Sequence, residues 1–144
     1  MPATPRSRVL LADDHVETAG QLRTLLIKHF DVIGLVEDGG ALVSAAADLA
    51  PDVIVADIDM PGLTGIDAAA LIRRRNPEAR IVFVTVHEDA LMVERGLSVG
   101  ALGYVLKETA GRELVPAVRA ALAGERYISR AVSNWNDEIA RLKQ

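Results

Sequence analysis

Five polar residues in this 144-residue chain close, or directly follow, short apolar runs. Asp13 and Asp14 come after RVLLA, Asp57 ends VIVAD, Thr85 ends IVFVT, and Lys107 follows GYVL. Three carboxylates gathered at one point repel one another and raise at least one pKa, and a hard divalent cation offsets that repulsion. Mg²⁺ suits such a set, since it takes roughly octahedral oxygen ligands, one or two of them carboxylates and others from phosphate or water. Asp57 could then attack phosphorus as a carboxylate nucleophile, with Lys107 and the Thr85 hydroxyl holding the equatorial oxygens. The product of that chemistry is an aspartyl phosphate. Taken singly, the same residues have plainer roles. Asp14 and Thr85 suit helix caps, Asp13 a solvated loop, Lys107 a surface cation, and Asp59 with Pro61-Gly62 suits a turn. His15, His29 and His87 show no ligand-like partners at useful spacing and read as ordinary residues.

Only a common location gives the set its meaning, and the chain carries elements that could supply one. Arg8 to Ala12, Val32 to Val36, Val53 to Asp57, Ile81 to Thr85 and Gly103 to Leu106 have strand length and are rich in Val, Ile or Leu. Stretches of helical spacing lie between them, such as Val16, Leu22, Leu25, Leu26 and Phe30. The alternation predicts an α/β fold, a doubly wound (βα)₅ parallel sheet over residues 8–123 with right-handed crossovers. In the flavodoxin-like strand order 2-1-3-4-5, the strands ending at Asp13, Asp57, Thr85 and Lys107 are neighbours, and ligands bind beyond their carboxyl ends. Asp14-His-Val-Glu17 and Thr85-Val-His-Glu88 fit capping boxes, which places helix starts directly after the first and fourth strands. Ala50-Pro51, Asn76-Pro77 and Gly124 read as helix stops, and Pro116 should kink or loosen the first turns of the fifth helix.

Composition narrows the function classes. The chain holds 16 basic and 20 acidic residues, a net charge of −4, which gives no basic surface for direct nucleic-acid binding. It has no cysteine, so disulfides, thiolate metal sites and cysteine catalysis are excluded. No apolar run has transmembrane length and MPATPRSR lacks a signal-peptide core, so a soluble, cytoplasmic chain without membrane contact is expected. After Gly124, Val132, Trp135, Ile139 and Leu142 are spaced three, four and three, the stripe of an amphipathic helix that could pack on the domain or on a second copy.

The DD pair at Asp13 and Asp14, DIDMPGLTG around Asp57, VTVHED with Thr85, and GALGYVLKE with Tyr104 and Lys107 together resemble the receiver domain of two-component response regulators. The resemblance implies that Asp57 is the phosphoacceptor and that Asp13, Asp14 and Asp57 bind Mg²⁺ by carboxylates, with Asp59 adding its backbone carbonyl. It implies that Thr85 and Lys107 sense the phosphoryl group, and that Tyr104 is an aromatic switch following Thr85. The implied donor is a sensor histidine kinase. The chain would be no enzyme beyond its own phosphorylation and dephosphorylation, and a phosphorylation-dependent homodimer could form. The output face would be the fourth helix, fifth strand and fifth helix. The expected division is a flexible tail over 1–7, a receiver over 8–124 and a helical extension over 125–144. Two departures stand out. Val86 is bulkier than the small residue usual beside the switch threonine, and GYVLKE and GERYIS resemble receivers that carry a C-terminal helix-turn-helix, absent here. Transcriptional output through that missing domain is the expectation, with a stand-alone receiver or a pseudo-receiver that only binds as alternatives. A more remote one is a haloacid-dehalogenase-like phosphatase, whose DxD signature ADID also matches.

Overall fold

The structure, a computed structural model, is described over residues 6–133. Its strands are β1 (Arg8–Ala12), β2 (Asp31–Val36), β3 (Val53–Ala56), β4 (Ile81–Thr85), β5 (Gly103–Leu106) and β6 (Tyr127–Ile128). Helices α1 (Val16–Ile27), α2 (Gly39–Leu49), α3 (Gly65–Arg75), α4 (Ala90–Ser98) and α5 (Ala110–Leu122) follow the first five in turn. All neighbouring strands are parallel, in the order β2-β1-β3-β4-β5-β6. The predicted doubly wound order is present, with one strand more than predicted. β6 has two residues, too short for a periodic signal, and it forms by pairing Gly103 with Tyr127 and Tyr104 with Ile128.

β1, β3, β4 and β5 are buried on both faces, which is why they read as continuous apolar runs. Alternation along the strands sends Leu10, Ile54, Phe83 and Tyr104 to a core with Leu42 of α2, Ile72 of α3 and Val93 of α4. Val9, Leu11, Val55, Val84 and Val105 face the other way, against Leu22 and Leu26 of α1 and Leu114 and Val118 of α5. Each fully buried Leu or Val contributes about 1.5–3 kcal/mol. Two cores of this kind pin the strands at fixed height, and so fix their ends.

The helix starts differ from the predicted capping boxes. α1 begins after His15 with no side-chain cap, because Asp13 Oδ1 accepts the His15 backbone N–H at 2.9 Å and Asp14 faces the strand ends. α4 begins only at Ala90, capped by Asp89, whose carboxylate accepts the Met92 N–H at 3.1 Å. Thr85 stays buried in the sheet and accepts the His87 N–H at 3.1 Å. The predicted stops at Ala50, Asn76 and Gly124 hold: α2 and α3 end on Ala50 and Asn76, and Gly124 takes φ 74° just past α5. Pro116 does not break α5, which runs through it unbroken. Ala110, Leu114, Ala117, Val118 and Ala121 bury one continuous stripe along the helix, which holds its turns despite the missing N–H.

Arg6 and Ser7 are tied down, Arg6 donating to the Ile27 carbonyl at 2.8 Å and Ser7 accepting from Asp31 N–H at 2.9 Å. Residues 130–133 are helical and Val132 is fully buried in the core, while Trp135, Ile139 and Leu142 of the predicted stripe lie outside the described residues. Among the described residues, no helix is long and apolar enough to cross a membrane.

Candidate functional site

The sheet ladder carries on one step past β1 and β3 and so places two of the aspartates. Asp13 N–H donates to Val36 O at 3.0 Å, and Asp57 N–H donates to Ala12 O at 2.9 Å. Both side chains are then almost fully buried at the carboxyl edge, 1% and 3% exposed. Lys107 opens the 3₁₀ turn Lys107–Thr109 after β5, two strands from β3, and its length lets it reach back across β4. Its Nζ lies 3.0 Å from Asp57 Oδ2 and 3.2 Å from Asp13 Oδ2. Thr85, at the end of β4 between them, lines with Lys107, Val86, Glu88 and Leu106 a cleft of about 290 Å³. Val86 stands exposed beside that cleft.

A sharp backbone approach shapes the loop after Asp57. Gly65 N–H donates to Ile58 O at 2.7 Å, and a Cβ at Gly65 would lie 2.0 Å from the Asp57 carbonyl oxygen. Only glycine lets the start of α3 come this close. Thr64 caps that helix, accepting the Asp67 N–H at 3.1 Å.

Asp13, Asp14 and Asp57 do converge, and His15 joins them, with one ligand atom from each of the four within 4.8 Å of the others. His15 Nδ1 is 3.2 Å from Asp13 Oδ1, 3.1 Å from Asp14 Oδ1 and 3.8 Å from Asp57 Oδ2. The reading of His15 as partnerless is therefore corrected. Its position directly after the DD pair was the available signal, since a residue that close to the strand end cannot leave its neighbourhood. His87 is corrected in the same way. Its Nε2 meets Asp59 Oδ2 at 2.7 Å, because the two residues stand two and three positions beyond the ends of the adjacent strands β4 and β3. His29 pairs with Arg119 at 3.2 Å, away from the site.

Three carboxylates and one ammonium leave two negative charges at the strand ends, apart from His15. Burial pushes the Asp57 carboxyl above its ordinary value; Lys107 pulls it back, and Asp13 adds to the upward push. Burial also pulls the Lys107 ammonium down, but the Asp57 and Asp13 carboxylates outweigh it and leave Lys107 above its usual value. Among the described residues, Asp13 Oδ2 and Asp14 Oδ1 are buried without a hydrogen-bond partner, and Lys107 and His15 meet them as ion-pair contacts. Buried anionic oxygens left open in this way are suited to a hard cation, so the cluster fits a divalent metal.

Asp59 N–H approaches Asp57 Oδ1 only to 3.4 Å, and its half-exposed carboxylate is turned to His87. Tyr104 is fully buried beneath α4 and its hydroxyl donates to His87 O at 2.8 Å. Burial, with Asp89 and Asp59 nearby, pushes the phenol up, so it remains a donor.

Known proteins share this fold. Response regulator GacA of Pseudomonas viridiflava is 38% identical over 128 residues, which cover 88% of this chain and 60% of that protein. The chain thus spans about 60% of the length of these curated relatives. A LuxR-family two-component response regulator from Aurantimonas sp. SI85-9A1 superposes with a TM-score of 0.84 at 32% identity, over 96% of this chain and 98% of that one. The isolated receiver of RcsB from Salmonella enterica serovar Typhimurium, solved with the phosphomimetic BeF₃⁻, gives 0.83 at 28% identity, over 90% and 98%. A family model described as the response regulator receiver domain matches residues 9–119, a span that holds Asp13, Asp14, Asp57 and Lys107, and the chain belongs to that family.

Proposed function

We propose that this chain is a Mg²⁺-dependent phosphoacceptor in a two-component phosphorelay, taking its phosphoryl group from a histidine kinase phosphohistidine onto Asp57. One observation carries the reading: a buried carboxylate, Asp57, lies 3.0 Å from Lys107 and beside two buried carboxylate oxygens that have no hydrogen-bond partner. An Asp57 oxygen attacks phosphorus, the P–N bond to the donor imidazole breaks, and its electron pair leaves with that ring. Asp13, Asp14 and Asp57, with the Asp59 carbonyl, would hold Mg²⁺, which when bound neutralises charge on the transferring group. Lys107 Nζ and the Thr85 hydroxyl stabilise the phosphoryl oxygens from the other side. The chain turns over no other substrate; it governs only the gain and loss of its own phosphoryl group.

Phosphorylation adds roughly −1.5 to −2 charges beside Thr85. Thr85 is drawn toward that charge, and Tyr104 follows by rotamer, which biases a pre-existing equilibrium of the α4-β5-α5 face. Tyr104 lies inward on the His87 carbonyl in this structure, so switching is an exchange between this placement and an outward one. Leu91, exposed on α4, gives that face an apolar contact for a phosphorylation-dependent homodimer. Output is to transcription, through a DNA-binding domain outside this chain, in the cytoplasm; the chain itself contacts neither nucleic acid nor membrane.

The Asp59 carboxylate, paired with His87, is not placed to serve as the general acid of a DxD phosphatase. Asp59→Asn is therefore expected to label with acetyl phosphate within about threefold of the wild-type rate, since only its carbonyl is used. Loss of labelling in Asp59→Asn, measured by intact-protein mass spectrometry, would count for the phosphatase. No beryllofluoride binding by the wild-type chain with Mg²⁺, followed by ¹⁹F NMR, would leave a pseudo-receiver.

A further inference from the structure

Glu113 is a buried carboxylate on α5, on the far side of β5 from the aspartates, and every lone-pair direction it has is used. One oxygen, Oε1, accepts the hydroxyls of Thr109 and, at 2.8 Å, Ser129. The other accepts the Tyr127 hydroxyl at 3.0 Å and the Arg130 backbone N–H at 3.2 Å. Three of these four donors belong to the segment after α5; the fourth, Thr109, sits in the 3₁₀ turn that begins with Lys107. Glu113 thus ties the segment after α5 to the turn that carries the ammonium.

Ser129 completes the tie. β6 ends at Ile128, and the Ser129 N–H still continues the ladder to Tyr104 O at 2.8 Å. The last N–H of β5, on Leu106, then meets no strand carbonyl. It donates to Ser129 Oγ at 2.9 Å instead, and that hydroxyl passes its own hydrogen to Glu113. Ser129 is fully buried, so its hydroxyl rather than bulk solvent satisfies this N–H. Leu106 is the residue directly before Lys107, so the bond fixes the backbone from which the ammonium reaches Asp57.

We propose that Ser129, held by Glu113, is a positioning residue for phosphoryl transfer: it sets the carboxyl end of β5 and thereby aims Lys107 at Asp57. The proposal rests on Asp57 being the phosphoacceptor. It also moves the working boundary of the receiver beyond residue 124, to the buried Ser129 and Val132. The segment that leads out of the receiver is in this way joined through one hydroxyl to the site that changes charge.

The test uses the full chain with Ser129→Ala, and Val132→Ala as a control that opens a cavity in the same core while removing none of the hydrogen bonds that join Leu106, Ser129 and Glu113. Acetyl phosphate labelling is timed under conditions where each variant is folded, and exchange of the Leu106 amide is followed by NMR. Ser129→Ala is expected to lose protection at Leu106 and to label about tenfold more slowly. Val132→Ala is expected to lower the urea midpoint yet label at the wild-type rate. Wild-type labelling by Ser129→Ala with Leu106 protection lost overturns the proposal alone, and so does equal slowing by Val132→Ala. A wild-type chain that takes no phosphoryl group overturns the phosphoacceptor reading first, and this proposal with it.

Discussion

Asp57→Asn is expected to abolish labelling by acetyl phosphate while leaving the metal-free protein at least as stable as wild type. The amide oxygen carries no charge with which to attack phosphorus, and no other carboxylate shares the position of Asp57 between Asp13 and Lys107. The stability expectation follows from sign. Burial holds the folded Asp57 carboxyl above its ordinary 3.8, so the folded state binds more protons and loses stability as pH rises through that raised value. At pH 7 the wild type carries the full cost of a desolvated carboxylate, and the neutral isostere removes it. Lys107 keeps Asp13 as a partner at 3.2 Å. Urea unfolding in EDTA at pH 7 should give a midpoint equal to or above wild type. A clear fall would mean that the Asp57–Lys107 pair stabilises the fold on balance.

Gly65→Ala should damage both fold and chemistry. The added methyl would lie 2.0 Å from the Asp57 carbonyl oxygen and 3.0 Å from Ile58 Cα, backbone atoms that cannot rotate away. The start of α3 must retreat or the Asp57 peptide must shift. Overpacking of this kind costs about 1–3 kcal/mol. A shift of the nucleophile's own peptide by a fraction of an ångström should slow labelling about tenfold or more. The urea midpoint and the labelling rate at a concentration of denaturant far below it separate the two effects. A folded Gly65→Ala that labels at the wild-type rate would show that the loop absorbs the methyl without moving Asp57.

The strand-end half of the site was legible because it depends on few things. Parallel strands buried on both faces leave unmistakable apolar runs, and polar residues at their ends can go only to the carboxyl edge of the sheet. Strand order then brought Asp13, Asp14, Asp57 and Lys107 together as expected, with Thr85 between them. Helix starts were harder to read, because a carboxylate at a strand end has two uses. Asp14 resembles a cap by spacing, yet it faces the other carboxylates, and Asp89 caps α4 four residues after Thr85. The histidines failed for a different reason: His87 finds Asp59 across two strands, a contact set by adjacency and not by distance along the chain. β6 was hidden because it is two residues long, and the Glu113 cluster because it rests on single side chains, Tyr127 and Ser129, whose partner lies on α5. Pro116 shows propensity overridden by packing, since the buried stripe of α5 holds where local preference argues for a kink.

The central claim is that Asp57, assisted by a divalent ion and Lys107, is the residue that accepts the phosphoryl group. The most direct measurement incubates the wild-type chain with acetyl phosphate and Mg²⁺, traps the acyl phosphate with borohydride and maps the modified residue by mass spectrometry. One modification per chain is predicted, at Asp57, with none when EDTA replaces Mg²⁺. Modification at any other residue, labelling that survives EDTA, or no labelling at all would contradict it.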